Sequence, residues 1–209
     1  ITSMHIGRYS DQLWVGGDFG FQVLNVSTGS EVTHISKSSS MYTGNDDPYD
    51  MVIHGNTVYY HGLYYPGDEV HRIDLDNLSS LSSLDAGGQF SISAWMYGMS
   101  VVNDVLHIAV EPTWNQNGDG GIATYDLITK SWGPNIDPTG QIDRVEYYTD
   151  SNGDHWIAWG EAKLEQYDSS GVLLGSWDSS DGFDFPIREI LEYDGEILFA
   201  TEDGVARYN

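Results

Sequence analysis

No cysteine occurs among the 209 residues of this chain. Disulfides therefore contribute nothing to its stability, and cysteine usage leaves the redox compartment open. Basic residues are nearly as scarce. Lys and Arg total 8 against 32 Asp and Glu, and Lys37, Lys130 and Lys163 are the only lysines. The resulting formal charge of −24 repels nucleic acid and anionic membrane surfaces, and it favours cations or basic partners. It equally suits a surface adapted to salty water, where screening relieves self-repulsion. No apolar run approaches the roughly 20 residues that span a bilayer, so insertion of a helix into a membrane is not expected. Residues 1–20 lack the basic-then-apolar layout of a secretion signal, and a chain beginning at Ile1 leaves an upstream leader or domain open. The HExxH, GxSxG, P-loop and GxGxxG patterns are absent as well.

What the chain has instead is a repeat, together with 24 glycines, 14 tyrosines and 7 tryptophans. The stretch Ile197-Leu198-Phe199-Ala200-Thr201 serves as a ruler. It matches Leu13–Gly17, Val58–Gly62, Leu106–Val110 and Trp156–Gly160, each preceded by a turn. A second landmark pairs an apolar residue with Asn or Asp: Leu24-Asn25, Ile73-Asp74, Tyr125-Asp126, Tyr167-Asp168 and Tyr208-Asn209. These are separated by 49, 52, 42 and 41 residues. Further apolar stretches at Glu31–Ile35, Leu78–Leu84, Ser131–Ile136 and Val172–Trp177 supply a fourth strand in four of the repeats. Asp194-Gly195 is a strong hairpin signal, because its tight turn demands positive φ. The middle strands are apolar on consecutive residues rather than alternate ones, as expected of a sheet covered on both faces.

These features resemble known repeat families. GIATYDLITKSW (121–132) and the double glycine of LWVGG (13–17) look like kelch repeats. The closing GEILFATEDGVARYN is similar to propeller repeats of two-component sensors, and the Tyr-Asp landmark sits where WD40 repeats carry Trp-Asp, without their Gly-His partner. The resemblance implies an all-β fold, a β-propeller of five four-stranded repeats forming one domain. Its blades fall near 1–36, 48–84, 93–136, 142–177 and 187–209, and the last lacks its outer strand. The first strand starts near Ser3. A fragment of a larger propeller, an imperfectly closed ring or an edge covered by a partner would each account for the missing strand, and we favour the fragment. Val205–Tyr208 is then an exposed edge suited to self-association.

In an up-and-down meander the long loops gather on one face, where function usually sits. That face should hold Asp47, Tyr65, Trp114, Asp119, Asp181, Phe183 and Asp184, with Asp46, Asp68, Glu69, Glu111, Tyr64 and Phe185 nearby. Carboxylates with aromatics suit calcium, a carbohydrate or a basic protein segment, although loops in so acidic a chain are acidic in any case. Asn115, Asn117 and Asp119 lie in NQNGDG, which resembles the first half of an EF-hand calcium loop. Asn stands at its first position, Asp126 at its twelfth, and no helices flank it; a polar turn explains it equally well. The similar Asp150–Asp154 reads as a hairpin turn. His61 and His71 fall on adjacent strands and could meet as a pair, yet two ligands make a poor metal site.

Three functions fit. The leading expectation is a non-catalytic binding or scaffold module, extracellular or on a cell surface, requiring no cofactor. A second is a carbohydrate-active hydrolase or lyase using Asp47, Asp119, Asp181 and Asp184, since two carboxylates flanking a sugar can serve as acid and base. A third is a structural spacer.

Overall fold

Short apolar runs punctuated by Asn, Asp and Gly become antiparallel hairpins. In the computed structural model of the chain, the described residues are 5–9, 11–36, 48–62, 69–90, 94–112, 120–136, 145–159, 163–182, 186–201 and 203–208. They form five meander sheets, each hydrogen-bonded in chain order. The first comprises β1 (His5–Tyr9), β2 (Gln12–Gly17), β3 (Gly20–Asn25) and β4 (Glu31–Ser36). The second comprises β5 (Pro48–His54), β6 (Thr57–Gly62), β7 (Glu69–Asp74) and β8 (Ser79–Asp85). The third has β9 (Ala94–Val102), β10 (Val105–Pro112), β11 (Gly121–Asp126) and a short β12 (Ser131–Trp132). The fourth has β13 (Val145–Thr149), β14 (His155–Trp159), β15 (Lys163–Tyr167) and β16 (Leu173–Asp178). The fifth has β17 (Ile187–Tyr193), β18 (Glu196–Thr201) and β19 (Gly204–Tyr208).

All four expected outer strands are present. β12 stops early because Gly133-Pro134 interrupts it and proline has no N–H for a ladder. The chain rejoins the sheet through a bridge between Ile136 and Ile122. The tight turns have the expected chemistry. Asp194 and Gly195 take φ of +53° and +80°, and Asn103 and Asp104 take +50° and +61°. Positive φ at both central residues matches the twist of the flanking strands. In the fifth sheet β19 pairs with β18 alone among the described residues, and Val205 is 68% exposed.

The chain divides into two compact units, Ile1–Met96 and Tyr97–Asn209. In the first, β2 and β6 are buried on consecutive residues, while the outer β4 is largely exposed. Trp14, Phe21, Val23 and Ile35 meet Met51, Val58, Tyr60 and Ile73 in one core, with Phe21 edge-on to Tyr60 at 4.9 Å. The two sheets approach so closely that a Cβ on Gly16 would lie 3.1 Å from the Pro48 Cβ. That contact is a structural reason for the double glycine of LWVGG. His61 and His71 do not pair. The register sets Tyr60, not His61, opposite His71, and a one-residue offset sends the two imidazoles to opposite faces of the sheet.

In the second unit, Ala109, Ile122 and Ile136 pack on Ile157 and Tyr167, joining the third sheet to the fourth. Trp156, Ala158 and Leu164 pack on Ile187, Ile190, Ile197 and Phe199, joining the fourth to the fifth. Trp177 stacks on Trp156 at 5.8 Å, and Tyr208 meets both rings edge-on. The turn before β14 is built as its sequence suggested. Asp150, 7% exposed, accepts from the N–H groups of Asn152 (2.9 Å) and Asp154 (3.0 Å) through Oδ1, and from Trp156 Nε1 (3.0 Å) through Oδ2. An Asp150→Asn substitution keeps one acceptor but sets an amide donor against the indole N–H. A buried donor without a partner costs about 1–3 kcal/mol. We expect Asp150→Asn to destabilise the fold by about 1–2 kcal/mol in urea titrations, with Asp150→Ala worse.

Candidate functional site

In the first four repeats the Asx landmark builds the turn between the third and fourth strands. Asn25 Oδ1 accepts from the N–H of Ser27 (3.1 Å) and Thr28 (2.9 Å), and Asp74 Oδ1 from Asp76 N–H (2.8 Å). Asp126 Oδ1 accepts from Ile128 (2.8 Å) and Thr129 (2.7 Å), and Asp168 Oδ1 from Ser170 and Val172 (both 2.9 Å). A short carboxylate or amide that bonds its own backbone two or three residues on is the mechanism of an Asx turn. In three repeats the next residue also donates to the preceding hairpin turn: Val26 to Asp11 O (2.7 Å), Leu75 to Asn56 O (3.0 Å) and Leu127 to Asp104 O (2.9 Å). The two turns on this face are thereby stapled together in each of those sheets.

Between the third and fourth sheets this stapled face opens into a cavity of about 290 Å³. Val102, Val105, Ile136 and Pro134 give it apolar walls, and Thr124, Asp126, His107 and the Ser169-Ser170 turn supply polar groups. The register sets His107 opposite Thr124 and Val105 opposite Asp126, which carries these side chains in two successive rows. Thr124 Oγ1 donates to Pro134 O at 2.8 Å and holds the interrupted β12 segment against the wall.

Behind the cavity lies a buried polar cluster. The His107 and His155 rings sit 4.3 Å apart at 47°. His155 Nδ1 lies 3.0 Å from Tyr147 Oη and 3.2 Å from Thr149 Oγ1, and Ser100 Oγ joins both hydroxyls at 3.1 and 2.7 Å. His107 is 4% exposed and His155 fully buried, and among the described residues neither His107 Nδ1 nor His155 Nε2 has a hydrogen-bond partner. Burial, reinforced by the neighbouring His155, lowers the pKa of His107 to about 3. Burial likewise lowers that of His155 to about 4, against the opposing pull of Asp150 and Asp168. Both imidazoles are therefore neutral near pH 7. Desolvation also raises the Tyr147 phenol above its ordinary range. Asp126 goes the other way: the Thr129 and Ile128 N–H groups hold its carboxyl below the usual value, so it is ionised.

Most of the residues expected at a loop-face site lie outside the described residues: Asp47, Tyr65, Trp114, Asn115, Asn117, Asp119, Phe183 and Asp184. Asp181 is described, exposed, and already engaged. Its Oδ2 accepts from Asp178 N–H (2.9 Å) while Asp178 accepts from Ser180 N–H (2.7 Å), a reciprocal cap on the turn after β16. Glu111, expected on a loop, belongs to β10 and is 3% exposed. Among the described residues no three His, Cys, Asp or Glu side chains come together as a metal set. The cavity and its histidines were not anticipated. The polar His107 inside the consecutive apolar run Leu106–Val110 is the one local signal of them.

No protein-family model matches the sequence, and no curated protein matches it. Solved structures do match by shape. BamB from Moraxella catarrhalis aligns over 99% of this chain and 58% of its own, with a TM-score of 0.66 at 11% identity. The extracellular domain of a putative one-component system from B. thetaiotaomicron aligns over 98% of this chain and 27% of its own, at 0.71 and 15%. The Neurospora crassa Pan2 WD40 domain aligns over 97% of this chain and 61% of its own, at 0.65 and 10%. The chain has the β-propeller fold. It spans between about a quarter and three fifths of these proteins' lengths, and at such identities the likeness concerns the propeller scaffold alone.

Proposed function

We propose that this propeller is a non-catalytic binding module, set in an extracellular or cell-surface protein, whose ligand site is the cavity between its third and fourth sheets. The observation that carries this reading is a concave, largely apolar site with a few convergent polar groups on a rigid scaffold, the usual form of a small-molecule site. The strongly acidic composition and the likeness to an extracellular sensor domain support the setting. The enzyme alternative has less support, because Asp181, its one described carboxylate, is held in a turn cap. Protein-observed NMR of the labelled chain with a mixed fragment library tests the proposal. Hits should shift amide resonances of β10 and of the 168–171 turn. A Val105→Phe variant, which fills the cavity, should weaken them at least tenfold. Hits that map elsewhere and survive Val105→Phe would overturn it.

A further inference from the structure

The cavity lining carries one ionisable group besides neutral His107, and that group is the anionic Asp126. Among the described residues no ion pair neutralises it. Asp168 stands one residue before the lining Ser169, and a chain of net charge −24 adds a long-range negative potential. Much of the remaining lining is aliphatic, with Val105 directly across the ladder from Asp126. Anionic ligands are repelled from such a site, and a neutral ligand gains no ionic contact from the carboxylate, whose Oδ1 is already held by the Ile128 and Thr129 N–H groups.

We propose that the cavity binds small organic cations, with an ammonium head against Asp126 and an apolar tail between Val102, Val105, Ile136 and Pro134. This rests on the reading of the cavity as the ligand site. At roughly 30 Å³ for each water-sized share of volume, 290 Å³ takes about ten non-hydrogen atoms. For a ligand of that size a Kd between about 10 μM and 1 mM is reasonable.

Asp126 can be tested without unmaking the turn it builds. Asn25 performs the same backbone capping in the first sheet, so Asp126→Asn removes the charge and retains an amide oxygen for the Ile128 and Thr129 N–H groups. Binding of 2-phenylethylamine, 2-phenylethanol and 3-phenylpropionate should be measured by calorimetry or NMR titration on wild type, Asp126→Asn and Val105→Phe. The amine should bind wild type at least tenfold more tightly than the alcohol, and the carboxylate most weakly. In Asp126→Asn the amine should lose its advantage over the alcohol measured on the same variant. In Val105→Phe both should be lost. Equal binding of amine and alcohol, abolished by Val105→Phe, would overturn the cation preference and leave the cavity reading standing. Amine binding that survives Val105→Phe would mark diffuse attraction to an acidic surface and overturn the proposal. Absence of binding by all three would overturn both readings.

Discussion

Acidification from pH 7 to pH 5 should cost the wild-type protein about 4 kcal/mol more folding stability than it costs a His107→Leu/His155→Asn variant. The cause is the buried pair behind the cavity. In the unfolded chain both imidazoles titrate near 6.5, whereas in the fold they titrate at about 3 and about 4. Between those values the unfolded state binds more protons, so stability falls as the pH drops through 6.5 and keeps falling toward 4. At pH 5 each histidine is neutral in the fold and almost fully charged when unfolded. Each then costs about 2 kcal/mol relative to pH 7. The effect belongs to the fold because burial and the neighbouring ring outweigh the Val105 backbone hydrogen bond that favours a charged His107. Among the described residues His107 Nδ1 and His155 Nε2 have no partner, and each ring would hold its charge beside the other at 4.3 Å. Asp150 and Asp168 pull His155 toward protonation without reversing the direction. Urea unfolding at pH 7, 6 and 5 on both proteins checks this. The slope with pH is the quantity of interest, since the variant will differ in baseline stability through lost packing. Parallel curves would show that the pair is not held neutral by burial.

The period of the chain and the strand content of each sheet were legible in the sequence because they are local. An Asx residue after an apolar one, a two-residue turn and a run of consecutive apolar positions each follow from nearby φ/ψ and burial. The work of the landmark was less legible. Asp74 and Asp126 are the last residues of β7 and β11, yet their carboxylates cap the next turn. The spacing of His61 and His71 left a meeting open, and a one-residue register offset, invisible in that spacing, sends the two rings to opposite faces. The candidate site was the least legible part. His107 and His155 lie 48 positions apart on different sheets, and the face-to-face packing of those sheets brings them together. Composition pointed to the acidic, aromatic long loops. Asp181 shows what that signal can miss, for its carboxylate is used to close a turn.

A second pH-dependent group works against the histidines. Glu146→Gln should stabilise the protein by about 2–3 kcal/mol at pH 8 and by almost nothing at pH 4. Glu146 sits on β13, half-buried where the fourth sheet meets the fifth. Desolvation first, and then the neighbouring Glu189, push its pKa up to about 7, with Arg188 opposing them. A carboxyl whose folded pKa exceeds its unfolded value of 4.5 stabilises the fold below pH 4.5 and loses that contribution as the pH rises through 7. Above pH 7 the wild type carries a desolvated charge that a neutral amide of the same shape avoids. Partial exposure discounts the full linkage value, hence the lower end of the range. The two groups therefore tilt the stability curve in opposite directions between pH 5 and pH 7. There the histidines remove about 4 kcal/mol on acidification and Glu146 returns about 2 kcal/mol. The wild type should look only mildly acid-sensitive, Glu146→Gln distinctly more so, and the histidine double variant should gain stability as the pH falls. Stability curves of the three proteins measured in one buffer series separate these contributions. A Glu146→Gln curve parallel to wild type from pH 4 to pH 8 would mean that solvent reaches this carboxyl freely.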